Sequence, residues 1–150
     1  MAPMKIAILT VSDTRELATD ETGDVIAHAL TGHDIVERAI VRDERDEIEA
    51  VLRKWCDDGV ADLVITNGGT GLSPRDVTPE ATRAVVEKEV PGLPEAMRAK
   101  SPTSLAYLSR QAAGIRNGVL IVNLPGSPKA ALECIDAVAD ILEHAVEMTK

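Results

Sequence analysis

Four short apolar runs, Lys5–Thr10, Asp34–Val41, Ala61–Thr66 and Val119–Leu124, alternate with stretches whose apolar residues recur at helical spacing. Nearly continuous apolar runs of this length are the mark of strands buried on both faces. The intervening periods (Val25, Ile26, Ala29 and Leu30; Ile48, Val51, Leu52 and Trp55; Ile135, Val138, Ile141, Leu142, Ala145 and Val146) each put an apolar stripe on one side of a helix. Strand–helix alternation predicts an α/β fold, a three-layer αβα arrangement around a mostly parallel sheet. Trp55 and Tyr107 are the aromatic residues and Phe is absent. The core must therefore come from Ile, Val, Leu and Ala, which suits such a sheet. At 150 residues the chain is expected to form one domain, 1–150.

The boundaries follow from stop and start signals. Gly32 and Gly59 are read as helix ends, and Thr78 as an N-cap followed by Pro79. Pro91-Gly92 is read as the stop of the helix that begins there. Short helices are expected over 93–100 and 103–115.

A formal charge of -9 argues against nucleic acid as a partner, which requires clustered Lys and Arg. No apolar run approaches the roughly 20 residues of a membrane span. The segment Met1–Lys5 carries no leader-type cleavage pattern, so a cytoplasmic location is expected. In that setting Cys56 and Cys134 read as buried packing residues, and His28, His33 and His144 have no ligand-like spacing to them.

Ligands of open α/β sheets bind beyond the carboxyl ends of the strands. The third strand leaves through Asn67-Gly68-Gly69-Thr70-Gly71 and then Leu72-Ser73-Pro74-Arg75-Asp76. Three glycines in four positions let the backbone approach an anion and aim N–H groups at it. The fourth strand leaves through Asn123-Leu124-Pro125-Gly126-Ser127-Pro128-Lys129, with Ser127 as the expected cap. Lys129 in a first helical turn opposes the helix dipole, which makes sense beside a bound anion. Ser12 and Asp13 follow the first strand, and Asp43 follows the second, where a carboxylate can reach the same cleft. Gly69-Thr70-Gly71 lacks the third glycine of a dinucleotide fingerprint, and no Gly-Lys-Ser/Thr closes a Walker loop. These residues describe an anion cleft with a carboxylate available to a hard metal such as Mg²⁺; they do not name the substrate.

Gly68-Gly69-Thr70-Gly71 followed by Pro74-Arg75-Asp76-Val77-Thr78-Pro79-Glu80-Ala81-Thr82 resembles the signature of the molybdopterin adenylyltransferase family, the MogA/MoaB-like proteins of molybdenum-cofactor biosynthesis. Pro91-Gly92, Glu95, Met97-Arg98, Leu108-Ser109-Arg110, Ala113-Gly114-Ile115 and Asn123 to Pro128 match in the family's order. The resemblance covers Ile6 to about Ala137. Asn67, where Thr is common, is a departure expected to be tolerated.

The resemblance implies a homotrimer that binds molybdopterin and MgATP and transfers AMP to the terminal phosphate of molybdopterin, releasing pyrophosphate. It implies a later molybdate-insertion step by a partner protein. Asp76 resembles the family's essential aspartate and Asp43 a second one, and the pair is expected to hold Mg²⁺. Gly68, Gly69, Thr70 and Gly71 are expected to cradle phosphate. Ser12, Asp13, Arg75, Asn123, Pro125, Gly126 and Ser127 are expected to line the nucleotide and pterin site, with Ser109, Arg110 and Lys129 toward the anionic pterin. Two rivals stay open: a non-catalytic molybdopterin-binding or carrier protein, and a flavodoxin-like mononucleotide protein.

Overall fold

The computed structural model describes residues 2–150; Met1, the first residue of the segment read for a leader, lies outside them. Six strands form one sheet in the order β2-β1-β3-β6-β5-β4. They are β1 (Lys5–Val11), β2 (Asp34–Val41), β3 (Leu63–Asn67), β4 (Lys88–Glu89), β5 (Ala113–Arg116) and β6 (Val119–Leu124). β2, β1, β3 and β6 run parallel, and β5 is antiparallel to both β6 and β4.

The alternation of side chains along β1 sorts the helices into layers. Ile6 and Ile8 face α1 (Glu21–Ala29), α4 (Gly92–Ala99) and α5 (Pro128–Met148), meeting Ile26, Met97 and Val138. Ala7, Leu9 and Val11 face α2 (Arg45–Asp57) and α3 (Thr78–Val85), meeting Ile48, Leu52 and Val85. Trp55 sits in this second layer, and Tyr107 is exposed. The α/β sandwich read from the sequence is the observed fold. Among the described residues, no helix is long and apolar enough to cross a membrane.

Three expectations fail. Residues 103–115 are not a helix: a short 3₁₀ turn, Ser104–Leu108, gives way to the antiparallel strand β5. Asn117 (φ 49°) and Gly118 (φ 74°) turn that strand straight into β6, as a two-residue hairpin with both central residues left-handed requires. Pro91-Gly92 does not stop α3, which ends at Val85; β4 intervenes, and Gly92 opens α4. Thr78 does not cap α3 either. Val77 holds that position, and the buried Thr78 hydroxyl donates instead to the Gly68 carbonyl at 2.9 Å. A side chain facing the core satisfies a buried carbonyl there, whereas the helix start is left to Pro79.

Candidate active site

The four parallel strands bring Ser12, Arg42, Gly68 and Pro125 to one edge of the sheet. Because β5 runs the other way, the segment Ser109–Ala112 enters at that same edge. An open cleft of about 520 Å³ lies there, lined by Gly69, Thr70, Gly71, Asp76, Ser109, Pro125 and Gly126 among others.

The glycine loop is fixed by contacts that only glycine allows. Gly68 and Gly69 have φ of 93° and 70°. A Cβ at Gly69 would stand 2.4 Å from Thr78 Oγ1 and 3.2 Å from Asp43 Oδ1, and one at Gly71 would stand 2.9 Å from Asp76 Oδ2. The two carboxylates thus flank the loop, Asp43 at Gly69 and Asp76 at Gly71. Below the loop, Asn67 Nδ2 donates to Thr10 Oγ1 at 2.9 Å, and that hydroxyl donates to the buried Asp20 at 2.6 Å. Asn67 therefore uses its amide to anchor the strand end.

Asp76 Oδ2 accepts the Ser73 N–H at 3.0 Å. Asp43 pairs with no cation among the described residues. Its pKa is raised, first by burial and then by the charge of Asp13, with Asp76 adding to the effect and a hydrogen bond from the Asp13 backbone to its carboxylate opposing it. Asp13 itself is held below the usual carboxylate range, chiefly by hydrogen bonds from the Arg75 side chain. Arg75 grips Asp13 with both Nε (3.1 Å) and Nη2 (3.0 Å) and reaches Glu44 with Nη1 at 3.1 Å. Glu44, absent from the candidates read in the sequence, completes this latch; a run of mixed charges gave no hint of which one Arg75 would choose.

Arg110 is also engaged. Its guanidinium donates to the carbonyls of Gly71 and Asp76, both at 2.8 Å, and forms a fork on Glu80 at 2.6 and 3.2 Å. It holds both ends of the 71–76 loop and offers no free edge to a ligand. Ser109 Oγ lies 3.1 Å from Thr70 Oγ1 at the cleft wall. Ser12 Oγ accepts the backbone N–H groups of Thr14 (3.2 Å) and Arg15 (3.0 Å). Ser127 caps α5 by accepting from Ala130 N at 3.2 Å. Lys129 is exposed and makes no ion pair among the described residues.

Asn123 lies under the cleft floor, fully buried. Its Nδ2 donates to Thr66 Oγ1 and Thr82 Oγ1, both at 2.9 Å, and its Oδ1 accepts the Ala112 N–H at 3.1 Å. It joins β3, α3 and the entry to β5. Asn123→Ala is expected to cost about 2–3 kcal/mol, because three buried polar groups lose a partner at once. A urea midpoint that falls with an unchanged slope will show it; an unchanged midpoint would contradict the network.

Among the described residues, no group of three or more acidic, His or Cys side chains forms a ready cation cage. Asp43 and Asp76 beside the glycine loop are instead carboxylates that could hold Mg²⁺, whose shell substrate oxygens and water would complete. Asp43, its pKa raised by burial and by neighbouring negative charge, is a carboxylate whose charge a bound cation would offset.

The family described as "Probable molybdopterin binding domain" matches residues 7–144. The molybdopterin adenylyltransferase of Helicobacter pylori strain J99 is 44% identical over 158 residues, covering 99% of this chain and 89% of that protein. The molybdenum cofactor biosynthesis protein B of Staphylococcus aureus strain Mu50 is 38% identical over 98% of this chain and 93% of its own length. Among solved structures, the molybdopterin biosynthesis enzyme MoaB from Thermus thermophilus superimposes with a TM-score of 0.91 at 46% identity, covering 97% of this chain and 96% of that one. The molybdopterin biosynthesis Mog protein of Mycobacterium ulcerans gives 0.89 at 38%, over 97% and 99%. With its glycine loop and flanking carboxylates set in that shared frame, the chain belongs to the molybdopterin-binding family of molybdenum-cofactor biosynthesis proteins.

Proposed function

We propose that the chain, acting over residues 1–150 as one unit, is a molybdopterin adenylyltransferase. The observation that carries this is the glycine loop 68–71 with Asp43 and Asp76 on its two sides. A terminal phosphate oxygen of molybdopterin attacks the α-phosphorus of ATP; the new P–O bond forms as the bond to the β-phosphate bridge breaks, and pyrophosphate leaves. A phosphate monoester is already largely anionic at neutral pH, so the chain needs to position reactants rather than deprotonate them.

The loop N–H groups of Gly69, Thr70 and Gly71 receive phosphate. Ser109 and the Pro125–Gly126 turn form the opposite wall, and the α5 N-terminus, with Ser127 and Lys129, adds positive potential. Asp43 and Asp76 would hold Mg²⁺, which supplies neutralisation of the polyphosphate charge when bound. Ser12, Asp13 and Arg75 border the nucleotide, and Arg110 and Asn123 act by holding the loop and floor. Exposed Leu72, Leu105, Tyr107 and Leu108 around the cleft support self-association into a homotrimer. The adenylylated product would pass to a molybdate-insertion protein, and the work would proceed in the cytoplasm.

The test is pyrophosphate release from MgATP with and without molybdopterin. Molybdopterin-dependent release is expected; tight molybdopterin binding without turnover would establish a carrier instead. A second expected result concerns pH. Because the Asp43 pKa is raised, the acid limb of kcat/KM is expected above the ordinary value of an aspartate carboxyl. Asp13→Asn removes a negative neighbour and moves that limb to lower pH, whatever it does to the plateau. A limb that stays in place would show that Asp43 does not set it.

A further inference from the structure

The chain passes from β6 to α5 through Pro125-Gly126-Ser127, along the wall of the cleft. The Gly126 carbonyl accepts the Thr22 hydroxyl at 2.7 Å, a bond between residues 104 positions apart that ties the first turn of α1 to that wall. Thr22 is fully buried. Its oxygen also accepts Arg15 Nη1 at 3.2 Å. A guanidinium can only donate, so the single hydroxyl proton is left for Gly126. The start of α1 is itself held fast. Asp20, only 1% exposed, accepts the Gly23 N–H at 2.9 Å, the Thr10 hydroxyl at 2.6 Å and Arg38 Nη2 at 3.2 Å. That Thr10 hydroxyl accepts Asn67 Nδ2 at the foot of the glycine loop. The first turn of α1 therefore holds both walls of the cleft, the loop through Thr10 and Asn67 and the opposite turn through Thr22.

Among the described residues no peptide bond is cis, and the C=O and N–H of a planar trans peptide point in opposite directions. With the Gly126 carbonyl drawn toward α1, the N–H of the same peptide, that of Ser127, is turned away from α1. It donates to nothing among the described residues, and Ser127 is exposed. No α1 residue lines the cleft. A donor whose direction is fixed by the protein in advance is worth more to a charged group than one the ligand must turn. We infer that Thr22 is a positioning residue: its hydroxyl fixes the Gly126–Ser127 peptide so that the Ser127 N–H faces the phosphates of the substrate from the side opposite the glycine loop. Arg15 acts behind it by directing the hydroxyl proton. The inference rests on the adenylyltransferase reading, and it extends the binding surface from the loop to a backbone group that a distant side chain sets.

The probe is inorganic pyrophosphate with Mg²⁺, titrated calorimetrically into the wild type, Thr22→Val and Thr22→Ser. The Ser127 amide is followed by NMR in ¹⁵N-labelled protein over the same titration. Valine keeps the β-branched shape and removes the hydroxyl; serine keeps the hydroxyl. In the wild type the Ser127 amide proton is expected to shift downfield on binding. Thr22→Val should lose that shift and bind pyrophosphate about 10-fold more weakly, the loss of one donor to a charged group. Thr22→Ser should recover both. A wild-type Ser127 amide that does not respond overturns the inference, even if Thr22→Val fails to fold. So does a Thr22→Val that melts lower yet keeps the shift and the affinity, because the hydroxyl would then serve the fold alone. The two readings separate. Turnover in Thr22→Val equal to that of the wild type defeats the positioning role alone. Pyrophosphate binding that follows the hydroxyl, in a protein without molybdopterin-dependent turnover, supports the positioning role and defeats the adenylyltransferase.

Discussion

Asp43→Asn and Asp76→Asn are each expected to lower molybdopterin-dependent pyrophosphate release by roughly 10²–10³-fold, the usual consequence of removing one preorganised charge from a site where charge develops. The two carboxylates flank one short loop and feel each other's charge. Their effects are therefore expected to be far from additive, the double variant losing little beyond either single one. Stability should move the other way for Asp43. A carboxyl whose pKa is raised on folding binds its proton more tightly in the native state, so stability falls as pH rises from the unfolded-state pKa through the folded one. At neutral pH the ionised Asp43 thus opposes folding, and Asp43→Asn should melt no lower than the wild type. A site that keeps a destabilising carboxylate is consistent with a function that needs it. Full activity in Asp43→Asn would remove it from the machinery, and a collapse of the fold would show that it serves structure.

The parallel half of the molecule is legible in the sequence because each of its strands is a buried apolar run and each of its helices has one stripe. Asp34–Val41 and Val119–Leu124 are observed with those bounds. The antiparallel edge was hidden by its brevity. β4 is two exposed residues, Lys88–Glu89, and carries no periodicity at all. β5 is four residues, Ala-Gly-Ile-Arg, too short to be told from a helical fragment by spacing. Asn117-Gly118 was its signal, since that dipeptide between two apolar runs marks a hairpin. In the site, the glycines and both aspartates stand out because loops seldom combine them. What could not be read is which polar groups are already engaged. Arg75 and Arg110 look alike in sequence as phosphate ligands, yet one closes on Asp13 and Glu44 and the other ties down the loop carbonyls.

Gly68→Ala is expected to cost roughly 4 kcal/mol and to take the activity with it, because a backbone term and a packing term add. The backbone at φ 93° lies in the left-handed region, which a side-chain-bearing residue enters at about 1–3 kcal/mol. The new Cβ would also meet the Val11 carbonyl oxygen at 2.3 Å, and overpacking against rigid backbone costs about 1–3 kcal/mol more. Relief is blocked on every side. Gly68 N donates to the Leu124 carbonyl at 3.1 Å, its own carbonyl accepts from Thr78 at 2.9 Å, and Gly126 packs so closely that a Cβ there would stand 3.3 Å from Gly68 Cα. The loop can move only by parting the ends of β1, β3 and β6. A melting temperature lower by on the order of 10 °C is the corresponding readout for a chain of this size. Loss of loop position by about an ångström would cost roughly 10²-fold in turnover. Gly32→Ala is the control. A Cβ there meets nothing within 4 Å, so its effect should stay within about 0.5 kcal/mol. If Gly68→Ala melts and turns over like Gly32→Ala, the loop is not the rigid cradle that its contacts describe, and phosphate must be held by the α5 side of the cleft alone.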